Sequence, residues 1–144
     1  MRLPVKIGLG VLAIFAALQA VRFGRTNPPV SADLEAPPDV KSVLRRACYD
    51  CHSNETTWPW YTQVAPFSWL AHYDVSEGRE AVNFSEWGAQ GPEQRAKKRR
   101  ESAESVAEGE MPPWYYLPAH PEARLSEADK ALIARWAASQ QEKP

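Results

Sequence analysis

The sequence contains only two cysteines, Cys48 and Cys51, which stand three residues apart. A structural zinc site needs four ligands and usually takes two close pairs, so a single pair disfavours zinc. A dithiol oxidoreductase is also disfavoured, because its C-x-x-C pair usually begins a helix after a strand and this pair ends a helical pattern. Because no cysteine lies near the N-terminal apolar run, we expect no lipid-anchored start.

The chain also lacks an apolar run of the roughly 20 residues that cross a bilayer comfortably. Its N-terminal run, residues 7–21, has 15 residues and follows Arg2 and Lys6, as in the positive start of an export signal. We therefore predict that residues 1–25 are a signal or a transmembrane anchor helix. We favour a single-pass anchor in the bacterial inner membrane, with the rest in the periplasm. A cleaved signal and a soluble periplasmic protein are the alternative.

A basic excess is missing as well, since the net charge is −1. Four of the 17 basic residues precede Thr26, which leaves 13 against 18 acidic residues in the remainder. Nothing here indicates binding to nucleic acid. The one basic cluster, KKRR at residues 97–100, is either a solvated helix face or a docking patch for an acidic redox partner. The oligomeric state is left open.

Strand-like alternation, internal repeats and a glycine-rich phosphate loop are all absent, so we predict an all-α protein with long loops. Residues 26–38 are rich in proline and are predicted to form a linker, followed by one domain over residues 39–140. A helix should begin near Pro38, because apolar residues then recur at i, i+3, i+4 and i+7. These are Val40, Val43, Leu44 and Ala47, and the two cysteines extend the stripe.

Four further segments have local signals. A helix is predicted over residues 67–76 with Gly78 closing it, and another from Pro92 to a stop at Gly109. Prolines recur too often in residues 111–123 for a helix. Ser126 and Asp129 form a capping box before a last helix with the apolar face Leu132, Ile133, Trp136 and Ala137.

The C-x-x-C-H motif formed by Cys48, Cys51 and His52 is the signal for covalent haem attachment. The spacing brings two sulfurs to the separation of the two vinyl groups on a porphyrin edge. The histidine that follows directly is placed to bind iron from the proximal side. We therefore expect one haem c, which fits a small exported domain.

The sixth iron position needs a second ligand. Met111 is the leading candidate, because Gly109 and two prolines stiffen the loop that holds it. His72, His120 or an open position remain alternatives. Four aromatic residues just after the motif are predicted to form walls of the haem pocket, although ordinary core packing would explain any one of them. They are Trp58, Trp60, Tyr61 and Trp69.

Several blocks of the sequence, in order, resemble the bacterial haem-binding domain family of small single-haem c-type cytochromes with an N-terminal anchor. The blocks are CYDCHSNETTWPWYTQVAPFSW, GREAVNFSEW and GEMPPWYYLPAHPEARLSEADKALIARW, within roughly residues 30–138. The resemblance implies a cytochrome c-like helical fold, with haem on Cys48 and Cys51, His52 as one axial ligand and Met111 as the other. It also implies that the first and last helices of the domain cross, with Val43 and Leu44 against Leu132 and Trp136.

With both axial positions filled, iron can only change its oxidation state, which indicates an electron carrier with redox proteins as partners. No arrangement of catalytic acid, base or nucleophile stands out, so we do not expect an enzyme. The alternative is a haem-based sensor or a small-molecule-reactive haem protein with a displaceable distal ligand.

Overall fold

The computed structural model describes residues 2–139, and over that range all of its regular structure is helical. The α-helices are α1 (Leu3–Leu18), α2 (Pro38–Ala47), α3 (Tyr49–His52), α4 (Phe67–Ala81), α5 (Pro92–Ala107) and α6 (Glu127–Ser139). Short 3-10 helices cover Trp60–Gln63, Phe84–Ala89 and Pro121–Ala123. The prediction of an all-α chain is confirmed for the described residues, while residue 1 and the predicted domain end at residue 140 lie outside them.

The N-terminal apolar run forms α1, a helix of 16 residues with no buried side chain. Among residues 2–139 there is no helix of the length and apolar character needed to cross a membrane. The predicted transmembrane anchor helix is therefore not supported.

The proline-rich stretch predicted as a linker has no regular secondary structure before Pro38, but it packs on the helices. Leu34 is buried, and its backbone N–H donates to the Phe84 carbonyl at 2.8 Å. Asp33 accepts hydrogen bonds from Lys41 Nζ at 2.6 Å and from the Tyr49 hydroxyl at 2.8 Å. The end of this stretch is therefore held by the same core as the helices.

The helix predicted from Pro38 divides at Cys48. Val40, Val43 and Leu44 are buried as predicted, and α2 then ends at Ala47. The Cys48 backbone has φ −127°, outside the helical range, before α3 begins. The buried side chain of α3 is Tyr49, which stacks on Phe84 with ring centroids 5.3 Å apart. The cysteines therefore lie at and just after a break rather than along one continuous stripe.

Two glycines were predicted to end helices, and only one of them does. Gly109 has φ +77° just after α5, which confirms it as a stop, because left-handed backbone favours glycine. Gly78 lies inside α4, which continues to Ala81, so its predicted role as a stop is wrong. A Cβ at Gly78 would lie 2.5 Å from the Cys51 carbonyl oxygen. The glycine at this position serves the close approach of α4 to α3.

The core lies between α2, α5 and α6, with the 3-10 helix Phe84–Ala89 packed into it. The capping box is confirmed, because the Ser126 N–H donates to Asp129 Oδ2 at 2.8 Å and the Asp129 N–H to Ser126 Oγ at 3.2 Å. As the family resemblance implies, α2 contacts α6. Val43, Leu44 and Trp136 share one buried cluster, with Leu132 packed against it.

The basic cluster at residues 97–100 is partly used inside the fold. Lys98 Nζ donates to the Ala81 carbonyl at the end of α4. The Arg99 guanidinium lies 6.0 Å from the ring centroids of both Trp87 and Trp136. Lys97 pairs with Glu101 at 3.5 Å on the surface. Lys97 and Arg100 are the exposed members of the cluster. A docking role for this cluster stays a prediction.

Candidate functional site

Both cysteines are free thiols in a largely desolvated setting. Burial raises the pKa of Cys48 to about 12 and that of Cys51 to about 12. Catalytic dithiols need a lowered pKa, because the thiolate is the nucleophile. This environment therefore disfavours the dithiol alternative. Cys51 lies on the wall of a cavity, whereas Cys48 packs against the hydrophobic core.

The orientation of His52 is fixed by backbone carbonyls. Its Nδ1 lies 2.8 Å from the Gly78 carbonyl oxygen and 3.2 Å from that of Val82. Carbonyl oxygens only accept, so Nδ1 carries the hydrogen and donates it. Burial lowers the pKa of His52, which favours the neutral ring. A neutral ring protonated on Nδ1 leaves the Nε2 lone pair available, which is the arrangement of histidine ligands in metal sites.

A cavity of about 440 Å³ lies beside α3. It is bounded by α3, by the segment before α4, by one face of α4 and by the loop after α5. Its wall is formed by Asp50, Cys51, Thr56, Thr57, Trp58, Pro59, Trp60, Tyr61, Thr62, Phe67, Leu70, Ala71, Asp74, Val75, Tyr115, Tyr116, Ala119 and His120. The volume is within the usual range for small-molecule sites, and its aromatic and aliphatic lining suits a large apolar ligand.

Three of the four predicted aromatic wall residues line this cavity: Trp58, Trp60 and Tyr61. Trp69 does not, because it lies on another face of α4, where its indole N–H donates to the Val21 carbonyl at 3.1 Å. Trp58 also donates its N–H within the protein, to Asn27 Oδ1 at 3.2 Å.

The candidates for the second axial position lie in different settings. Met111 is 39 % exposed, and the cavity wall does not include it. His72 stacks on Phe23, and its Nδ1 contacts the Gly24 carbonyl at 3.2 Å, on the side of α4 that carries Trp69. His120 is on the cavity wall, but both of its ring nitrogens contact protein groups, Tyr61 and Glu122. Among these candidates, only His120 lines the cavity.

Sequence reasoning missed the polar residues of the cavity wall. The Tyr116 hydroxyl donates to Asp50 at 2.8 Å, and the Tyr115 hydroxyl donates to Asp74 at 3.1 Å. Both tyrosines come from the loop that follows Met111, so these bonds tie that loop to α3 and α4. Asp50 stands between the two cysteines, and this position was the one signal that could have drawn attention to it.

These residues fit a haem. The cavity offers apolar and aromatic surface, and Cys51 faces it. His52, the next residue, is not part of the cavity wall; its Nδ1 is held by the Gly78 carbonyl, and burial lowers its pKa. Cysteine and histidine are the groups through which c-type haem is held. Bound haem would supply an iron that changes oxidation state, and the chain would hold and orient it.

A comparison with protein families indicates the same cofactor. A family model described as a haem-binding domain matches residues 13–139, a range that includes α3, the cavity wall and the loop after α5. A comparison with curated proteins gave no match, and a comparison with solved structures gave none either. The family match covers most of the chain and confirms the resemblance that the sequence blocks indicated. The chain belongs to the haem-binding domain family.

Proposed function

We propose that this protein is a c-type cytochrome that transfers single electrons. One haem would be attached through thioether bonds to Cys48 and Cys51, with His52 as the proximal iron ligand. The observation that carries the proposal is the placement of the C-x-x-C-H motif at and just after the break between α2 and α3, with Cys51 on the cavity wall and His52 oriented by the Gly78 carbonyl. This chain's contribution is to hold the ligand ring in one tautomer and to surround the cavity with apolar side chains.

The experiment is a redox titration of the full chain purified from a bacterial host that matures c-type cytochromes. We expect reversible one-electron reduction and a haemochrome spectrum typical of two thioether bonds. The Cys48→Ser Cys51→Ser double variant should purify without haem. A wild-type protein that takes up haem but loses it to an acid–acetone extraction would contradict covalent attachment.

The second axial ligand is proposed to be Met111. Support comes from the loop, where Gly109 ends α5 and the Met111 N–H donates to the Ser105 carbonyl at 3.2 Å. We expect Met111→Ala to abolish the weak long-wavelength band of sulfur-ligated ferric haem and to lower the midpoint potential, because a thioether favours ferrous iron.

One observation favours a second candidate function. Met111 is partly exposed and lies outside the cavity wall, as expected if a small molecule could displace it. In that case the protein would be a haem-based sensor or a small-molecule-reactive haem protein. Rapid binding of carbon monoxide to the reduced wild type, as fast as to Met111→Ala, would favour this candidate. Slow binding to the wild type alone would favour the electron carrier.

We further propose that residues 1–25 direct export, so that the haem domain works on the periplasmic side of the inner membrane with a redox protein as its partner. The support is the apolar α1 preceded by Arg2 and followed by Arg22 and Arg25. The intact mass of the mature protein, compared between membrane and periplasmic fractions, distinguishes a retained segment from a cleaved one. Recovery in the cytoplasm without haem would contradict export.

A further inference from the structure

A chain of hydrogen-bonded side chains runs from the cavity wall to the surface through His120. Tyr61 and His120 both line the cavity, and the Tyr61 hydroxyl contacts His120 Nε2. His120 Nδ1 lies 3.1 Å from Glu122 Oε1. The His120 side chain is only 11 % exposed, whereas the Glu122 side chain is 57 % exposed. A buried imidazole thus stands between a hydroxyl at the cavity and a carboxylate in water.

The directions of these bonds follow from the groups. A hydrogen bond from its own backbone and another from His120 lower the pKa of Glu122, so this carboxylate is ionised near neutral pH and accepts from Nδ1–H. In the neutral ring, Nε2 then accepts from the Tyr61 hydroxyl. If Nε2 gains a proton, the hydroxyl can rotate and accept instead. Both protonation states of the ring therefore keep two hydrogen bonds.

The ring is also held in place by its neighbours. It stacks on Tyr116, with ring centroids 3.9 Å apart and planes 5° apart. Tyr116 in turn donates to Asp50 of α3. From α2, the Arg46 guanidinium donates to the Glu122 carbonyl at 2.7 Å. The charged and titratable groups around His120 are therefore Tyr61, Tyr116, Asp50, Glu122 and Arg46.

We propose that His120 takes up one proton when haem bound in the cavity is reduced by one electron, and that it releases this proton when the haem is oxidised again. This inference rests on the proposed function. The electron would come from a one-electron redox partner, which is oxidised, and bound haem would accept it. The proton would come from hydronium or a buffer acid in solution, and it would form the N–H bond at Nε2. Adding negative charge to the cavity favours a cation on its wall, and Glu122 stabilises that cation from the other side.

The test is the midpoint potential of the haem-loaded full chain between pH 5 and pH 9. Coupling to one proton makes the potential fall with rising pH, by up to about 59 mV for each tenfold drop in proton concentration. We expect His120→Gln to lose this slope. His72→Gln is the matched control and should retain it, since His72 lies away from the cavity. Glu122→Gln, an exposed change that should leave the fold intact, should move the sloping region to lower pH.

Proton uptake gives a second readout. Reducing the wild type in weakly buffered solution with a pH indicator should show uptake that His120→Gln lacks and His72→Gln retains. A redox-active wild type whose potential does not vary with pH, or a slope equal in wild type and His120→Gln, would overturn this inference and leave the electron carrier standing. A wild type without redox-active haem would overturn both.

Discussion

At the scale of single residues, Gly78 connects the fold to the site in two ways. Its carbonyl accepts the hydrogen bond that orients His52, and its missing side chain lets α4 approach the Cys51 backbone. A hydrogen bond to the second nitrogen of a ligand histidine fixes the ring and raises its basicity. The position of α4 is therefore transmitted directly to the proposed iron ligand.

We expect Gly78→Ala to destabilise the protein by about 1–3 kcal/mol, the usual cost of overpacking, because the new Cβ would meet the Cys51 carbonyl. Chemical denaturation of the haem-loaded protein measures this. Gly24→Ala is the matched control, since its nearest contact would be an ordinary 3.9 Å. Equal stability of the two variants would show that α3 and α4 do not approach each other as closely as described.

At the scale of the helices, α2 and α6 are joined by a charged contact built on the capping box. Arg46 lies 2.6 Å from Asp129 Oδ2, the same carboxylate that caps α6 through Ser126. The backbone hydrogen bond from Ser126, the Arg46 guanidinium and the Ser126 hydroxyl lower the pKa of Asp129 from 3.8 to about 2. One carboxylate thus serves both the helix start and the contact between two helices.

Because the pKa of Asp129 is lower in the folded protein than in the unfolded chain, its contribution is present above about pH 4. It is lost as the pH falls towards about 2. We expect Asp129→Asn to lower stability at pH 6 by about 1 kcal/mol, the usual value of such a cap, and the difference from wild type to shrink at pH 2.5.

Thermal unfolding of both proteins at the two pH values checks this expectation. Glu127→Gln is the matched control, because it removes one negative charge from the same helical turn, and the ion pair with Lys130 that it breaks lies on the surface. A pH-independent difference between Asp129→Asn and wild type would contradict the assigned role.

The elements that could be predicted well from the sequence are those whose signals lie close together along the chain. The stripe of α2, the stop at Gly109 and the capping box of α6 each depend on residues within one or two turns of each other. Gly78 was misread because a glycine near a helix end usually stops the helix, and its actual partner, Cys51, is distant in sequence. A large separation in sequence likewise hid the contact between Leu34 and Phe84, which lie in one buried cluster.

At the scale of the whole molecule, α3 is enclosed by the core on one side and by the cavity on the other. The motif that defines the site could be identified from spacing alone, because C-x-x-C-H is contiguous. The Tyr61–His120 and Tyr116–Asp50 contacts could not, because each joins segments more than 50 residues apart. Family membership accordingly follows from sequence, whereas the proposed proton uptake depends on the fold.

The central claim is that haem is bound covalently at Cys48 and Cys51. The most direct test is the intact mass, under denaturing conditions, of the full chain purified from a host that matures c-type cytochromes. We expect a coloured protein heavier than its polypeptide by one haem, and a colourless Cys48→Ser Cys51→Ser variant at the polypeptide mass. A wild-type protein at the bare polypeptide mass, with or without colour, would contradict it.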